Sequence, residues 1–266
     1  MSEMARRAAS LFEHVKPDCH LVFHHVPKTG GTSVGSAMRR RFPFSHAGFD
    51  QNAAYKMVEA LYPQFDRTVL FSDEYLRFRR EYFLHLLARD VQCITGHFPF
   101  DEVAYDRFGS KYHFVTILRP PVARFISHYF DSHLPTPDPE RPFAITESLG
   151  DLLESERGRR MGRIYTEFFS GLFDRQDLSS TIAIDSAKAN LEHFSLVGFL
   201  ENTEDFSRRL LNDYGLRIKL RHLRRGPTSN ERRQALITPD IEDRIRTICS
   251  SDIEIYTWAL ERFSNG

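Results

Sequence analysis

Apolar positions along the chain follow two periods. Five short runs rich in β-branched and aromatic residues have strand length: LVFHHV (21–26), RTVLF (67–71), VQCIT (91–95), HFVTIL (113–118) and SLVGFL (195–200). Around them, helical patterns are predicted over 3–15, 34–42, 51–62, 74–89, 146–156, 160–173, 185–194, 202–214, 238–249 and 251–263. The 74–89 stretch is typical, with Leu76, Phe83, Leu86 and Leu87 at helical spacing and charges between them. Pro120 and Pro121 suit the first turn of a helix, where a missing N–H costs little. Residues 131–142 (DSHLPTPDPERP) read as a loop, and 217–234 as basic and turn-rich. Strands alternating with helices from residue 20 to about 214 predict an α/β fold, with a mostly parallel sheet covered on both faces.

Bulk composition narrows this picture. A chain of 266 residues fits one domain spanning 1–266, with 1–19 as an N-terminal extension. Lys plus Arg and Asp plus Glu are 36 each, so global charge selects no polyanionic partner. The 23 Phe residues predict an aromatic core. Cys19, Cys93 and Cys249 are scattered and form no CxxC pair. This argues against a disulfide framework or a zinc site and suits a reducing compartment. The N-terminus shows no apolar signal region, and no apolar run approaches the ~20 residues of a membrane span. The expectation is a cytoplasmic chain without a transmembrane segment.

In parallel sheets, ligands bind beyond the carboxyl ends of the strands. Three polar residues fall at predicted strand ends: Lys28, His97 and Arg119. Lys28 belongs to PKTGGTS (27–33), which follows a strand and opens a helix. A helix N-terminus offers unpaired N–H groups and a positive dipole end to an anion. Gly30 and Gly31 allow close backbone approach, Thr32 and Ser33 add hydroxyls, and Lys28 adds a mobile charge. The lysine precedes the glycines and GxxxxGK[ST] is absent, which disfavours a nucleoside-triphosphate kinase. His24 and His25 adjoin on a strand and point to opposite faces, so both read as structural, with one able to line the site. His128 and His133 form no convincing metal pair.

VPKTGGTS resembles the 5′-phosphosulfate loop of sulfotransferases that use 3′-phosphoadenosine 5′-phosphosulfate (PAPS). It is most similar to the carbohydrate branch that includes heparan sulfate 2-O-sulfotransferase and bacterial relatives. VTILRPPVARFISHYF (115–130) resembles that family's strand-Arg-Pro-helix signature, in which Arg119 is followed eight residues later by Ser127. GHFPFD (96–101), ANLEHFSLVGFLENTEDF (189–206) and DIEIYTWALERF (252–263) extend the likeness over most of 20–263. The chain departs from the family pattern at Pro120 and Ala123, positions that are commonly acidic.

The resemblance implies a P-loop-like three-layer α/β fold with a mostly parallel central sheet and a helical C-terminal part. It implies PAPS as donor, 3′-phosphoadenosine 5′-phosphate (PAP) as product, and no metal. Lys28, Thr29, Gly30, Gly31, Thr32 and Ser33 would grip the 5′-phosphosulfate, while Arg119 and Ser127 would grip the 3′-phosphate. Lys28 would stabilise the bridging oxygen, and His97 would deprotonate an acceptor hydroxyl, on a saccharide by the family branch. The basic segment 217–234 resembles a cofactor-covering loop, with Arg224, Ser229 and Asn230 as contacts. No nucleic-acid-binding motif accompanies its charge. A nucleotide-dependent kinase and a non-catalytic nucleotide-binding protein are the rival readings. Oligomeric state and acceptor identity are not legible, because specificity lies in loops such as 42–66 and 131–160.

Overall fold

The computed structural model describes residues 19–62, 73–136, 138, 141, 143–172, 178–220 and 235–264. The expected helix over 3–15 and strand over 67–71 lie outside the described residues. Five strands form one sheet: β1 (His20–His24), β2 (His46–Gly48), β3 (Cys93–Gly96), β4 (Tyr112–Leu118) and β5 (Leu196–Phe199). Their order is β2-β3-β1-β4-β5 and all pairings are parallel. Registers such as Phe23↔Thr95 and Phe23↔Val115 place β1 at the centre.

Side-chain alternation along the strands divides the core. Leu21, Phe23, Val115, Ile117 and Leu196 share one face with Val34 and Met38 of α1 (Gly31–Arg39) and with Phe206 and Leu210 of α10 (Thr203–Tyr214). Val22, Ile94, Phe114 and Val197 share the other. There they meet α3 (Asp73–Ala88), α8 (Ile164–Phe169), α9 (Thr181–Leu191) and α12 (Ser250–Phe263). This second layer holds the expected aromatic core, with Phe83, Phe98, Phe100, Phe114 and Phe194 in mutual ring contact. Two buried faces explain why the strands read as continuous apolar runs.

Side-chain caps set several helix starts. Asp50 caps α2 (Gln51–Leu61) and Asp101 caps α4 (Glu102–Phe108). Ser180 caps α9, which therefore begins earlier than the apolar pattern over 185–194 suggests. Thr238 caps α11 (Pro239–Ile248). The helices expected over 146–156 and 160–173 are instead three short ones: α6 (Leu149–Glu154), α7 (Glu156–Met161) and α8. Close packing breaks them. A Cβ on Gly158 would lie 1.9 Å from the Leu152 carbonyl oxygen, and one on Gly162 would lie 2.4 Å from Ile248 Cγ2. A satellite core of Phe125, Tyr129, Leu149, Leu152 and Ile245 joins α6 and α11 to α5 (Pro121–Ser132). Strand β2 has no apolar run to announce it, being three exposed or half-exposed residues, HAG, on the sheet edge. Among the described residues, no helix is long and apolar enough to cross a membrane.

Candidate active site

The chain leaves β1 in the middle of the sheet, passes to the β2 and β3 side, and later returns to place β4 on the other flank. That reversal opens a crevice at the carboxyl end of β1, where such sheets bind ligands. The turn from His25 to Gly30 lies there. Lys28 and Gly30 both have positive φ, 67° and 79°. Glycine takes this conformation freely, whereas a lysine held in it is unusual and marks a turn fixed by its surroundings. Thr29, fully buried, ties the turn down by donating its hydroxyl to the Val26 carbonyl at 2.9 Å. Helix α1 then begins on Gly30 with no side-chain cap, and α5 begins after Arg119 with none either. The Ser33 N–H turns back to the Gly30 carbonyl at 3.2 Å and Pro121 has no N–H, so Gly31 and Thr32 of α1 and Val122 and Ala123 of α5 are the first-turn amides without an intrahelical carbonyl to meet.

Lys28 and Arg119 share this crevice. The Arg119 guanidinium donates from Nη1 to the Lys28 carbonyl at 3.1 Å. Lys28 Nζ forms an ion pair with Asp131 of α5. Ser127 lies one helical turn before Asp131, so its hydroxyl is on the same side of α5 as the Lys28 contact. Thr32 and Ser33 lie in the first turn of α1. The Lys28 turn thus meets Arg119 through its carbonyl and α5 through Asp131, while Ser127 is placed near them only by its position on α5. Arg224, Ser229 and Asn230 lie outside the described residues.

His97 stands just beyond β3, across from the start of α1. Its Nδ1 lies 2.5 Å from the His25 carbonyl oxygen. A carbonyl can only accept, so Nδ1 carries the proton and Nε2 keeps its lone pair. The His25 ring lies 4.4 Å from the His97 ring, centroid to centroid. His25 also fills the space over the glycine turn: a Cβ on Gly31 would lie 2.0 Å from His25 Cδ2. Gly31 is needed for this close approach, since its own φ is ordinary. His25 is a site residue that single-residue reasoning underrated. The available signal was its position one residue after the strand, beside the phosphate turn. His24, by contrast, points away into the aromatic core and bonds through Nδ1 to the Phe98 carbonyl at 2.8 Å.

A cavity of about 580 Å³ opens between α1, the β3 end and the start of α2. His97, His25 and Thr32 form one wall, and Arg39, Phe49 and Gln51 contribute to the others. Arg39 reaches across from α1, donating to Thr95 Oγ1 at 2.5 Å and to Ser36 Oγ at 3.3 Å. The crevice with Arg119 and this cavity with His97 lie on opposite flanks of β1, with the glycine turn between them.

Burial lowers the pKa of His24 and His97 to about 4, and those of His25 and His128 well below the usual imidazole value. Nearby cations add to the effect at His97, through Arg79 and Lys28, and at His128, chiefly through Arg124. Folded pKa values below 6.5 mean that the unfolded chain binds more protons between about pH 4 and 6.5. Stability is therefore expected to fall as pH falls through that window. Urea midpoints measured from pH 7 to pH 4.5 should drop, with more than one proton taken up on unfolding. A flat profile would show that these rings are not held neutral.

Comparison with known proteins agrees with the geometry. Residues 14–259 match the Sulfotransferase family. Heparan-sulfate 6-O-sulfotransferase 1 of Homo sapiens is 25% identical over 288 residues, covering 96% of this chain and 68% of that protein. The Gallus gallus protein of the same name is 24% identical over 273 residues, covering 90% of this chain and 64% of its own length. Heparan-sulfate 6-O-sulfotransferase 2 of Danio rerio is 24% identical over 290 residues, covering 94% and 59%. The chain thus spans roughly two thirds of the length of these curated relatives. With a parallel sheet, a glycine turn at the β1 end and a family match over nearly all its length, the chain belongs to the sulfotransferase family.

Proposed function

We propose that the protein transfers a sulfuryl group from PAPS to a hydroxyl of a saccharide. The observation that carries this reading is the 3.1 Å contact between Arg119 and the Lys28 carbonyl, which joins two anion grips in one cleft. PAPS carries anions at two ends, a 5′-phosphosulfate and a 3′-phosphate, and two neighbouring grips answer that shape. Lys28 to Ser33 supply N–H groups, hydroxyls and one ammonium for the first. Arg119 and Ser127 supply a planar fork and a hydroxyl for the second.

The acceptor occupies the cavity of about 580 Å³ on the His97 side. Its walls mix Arg39, Asp50, Gln51 and Asn52, which suit a polyol, with the ring of Phe49, which offers a flat apolar surface to a sugar. The heparan sulfate named in the relatives supports a saccharide of that class. His97 Nε2 accepts the acceptor proton while the sulfuryl group moves in line, and Lys28 stabilises charge on the leaving oxygen. Three cysteines scattered along the chain and buried in the fold suit a reducing compartment, and a cytoplasmic location is part of this reading.

Calorimetric titration tests the donor assignment. PAP is expected to bind at least about tenfold more tightly than AMP, ADP or ATP, because the 3′-phosphate adds a charge-assisted contact. Equal affinities, or magnesium-dependent ATP turnover, would replace this reading with a kinase.

A further inference from the structure

Arg119 sits where its own turn can do little to hold it. The next two residues, Pro120 and Pro121, have no N–H. A residue 46 positions later takes over. The Arg119 N–H donates to the Tyr165 hydroxyl oxygen at 2.7 Å, and that hydroxyl donates to the Arg119 carbonyl at 2.5 Å. One phenol thus grips both polar groups of a single peptide unit's residue.

Tyr165 is itself fixed from three directions. Its backbone N–H lies 3.0 Å from both carboxylate oxygens of Asp252, and the Thr166 N–H lies 3.2 Å from Oδ1. Asp252, on α12, therefore caps α8, whose own preceding residue offers no side-chain cap. The Arg124 guanidinium lies 5.7 Å from the Tyr165 ring centroid and 3.6 Å from Asp252 Oδ2, and it donates to the Met161 carbonyl. Tyr165, Arg124 and Asp252 are all 0% exposed. A buried ion pair contributes little net stability, and its common use is to specify one arrangement. Here that arrangement aims a hydroxyl at the backbone of Arg119.

We infer that Tyr165 is the positioning residue for the 3′-phosphate site: by clamping the Arg119 backbone it sets where the Arg119 guanidinium meets the ligand. This rests on the donor assignment above. Misplacing a charged donor by a fraction of its contact distance weakens the contact it makes without touching the rest of the ligand.

The test uses Tyr165→Phe, which keeps the ring under Arg124 and removes only the hydroxyl. The probes are PAP and AMP, which differ by the 3′-phosphate alone. The variant is expected to bind PAP about tenfold more weakly and AMP as before, the scale of one charge-assisted contact misaligned. If PAP affinity is unchanged, or if PAP and AMP weaken equally, Tyr165 only supports the fold and the inference is overturned. Hydrogen exchange in the wild type covers the case of a variant that does not fold. PAP, and not AMP, should slow exchange of the Arg119 amide, and an unaffected amide overturns the inference. A wild type that binds PAP no better than AMP would instead sink the donor assignment.

Discussion

Replacing His97 by alanine is expected to lower the rate of sulfuryl transfer by roughly 10²–10⁴-fold, the usual contribution of a positioned base, while leaving PAP affinity intact. The expectation rests on tautomer and place. The His25 carbonyl, 2.5 Å from Nδ1, fixes the proton there and leaves Nε2 basic, and the ring lines the cavity beside α1. With its pKa lowered to about 4, His97 is neutral throughout the physiological range. The acid limb of kcat/KM, which reports the free enzyme, should therefore fall near pH 4 rather than near 6.5. An anionic donor in the cleft favours the imidazolium, so the limb of kcat should lie at higher pH than that of kcat/KM. Transfer of labelled sulfate to a heparan-type oligosaccharide measures both. Near-wild-type transfer by the alanine variant, with PAP binding preserved, would remove His97 from the mechanism.

Lys28→Met should cost about 10²–10³ in kcat, the scale seen when one donor to a developing anion is lost. Methionine keeps the unbranched stem, so most packing survives. It also faces the same positive φ of 67°, so backbone strain is common to both proteins and drops out of the comparison. The ammonium pairs with Asp131. A phosphosulfate is expected to draw it toward the leaving oxygen, so the variant should lose more in kcat than in PAP affinity. Lys28→Arg should rescue poorly, because a planar fork does not replace a compact point charge. A variant whose loss lay wholly in PAP affinity would make Lys28 a binding residue only.

Much of the candidate site was legible because it lies at strand ends. Lys28, His97 and Arg119 each close an apolar run, and a parallel sheet brings such ends to one edge whatever the intervening chain does. His25 was ambiguous for the same local reason. Adjacent strand residues alternate faces, and alternation alone does not say whether His24 or His25 lies beside the glycine turn. The packing of His24 among Phe83, Phe114 and Phe194 settles it.

Local sequence determined the elements whose cause is local: the period of buried runs, the prolines opening α5, the glycine turn before α1. Tertiary structure alone decided the rest. The break between α7 and α8 comes with the contact of Gly162 against Ile248, far along the chain. The edge strand β2 exists because β3 offers its backbone, with no apolar run of its own to bury. The hold on Arg119 comes from Tyr165 and, behind it, Asp252. Hydrogen bonds between residues 46 and 87 positions apart leave no periodic trace in either segment, because the partners are matched only once both helices pack on the same sheet face.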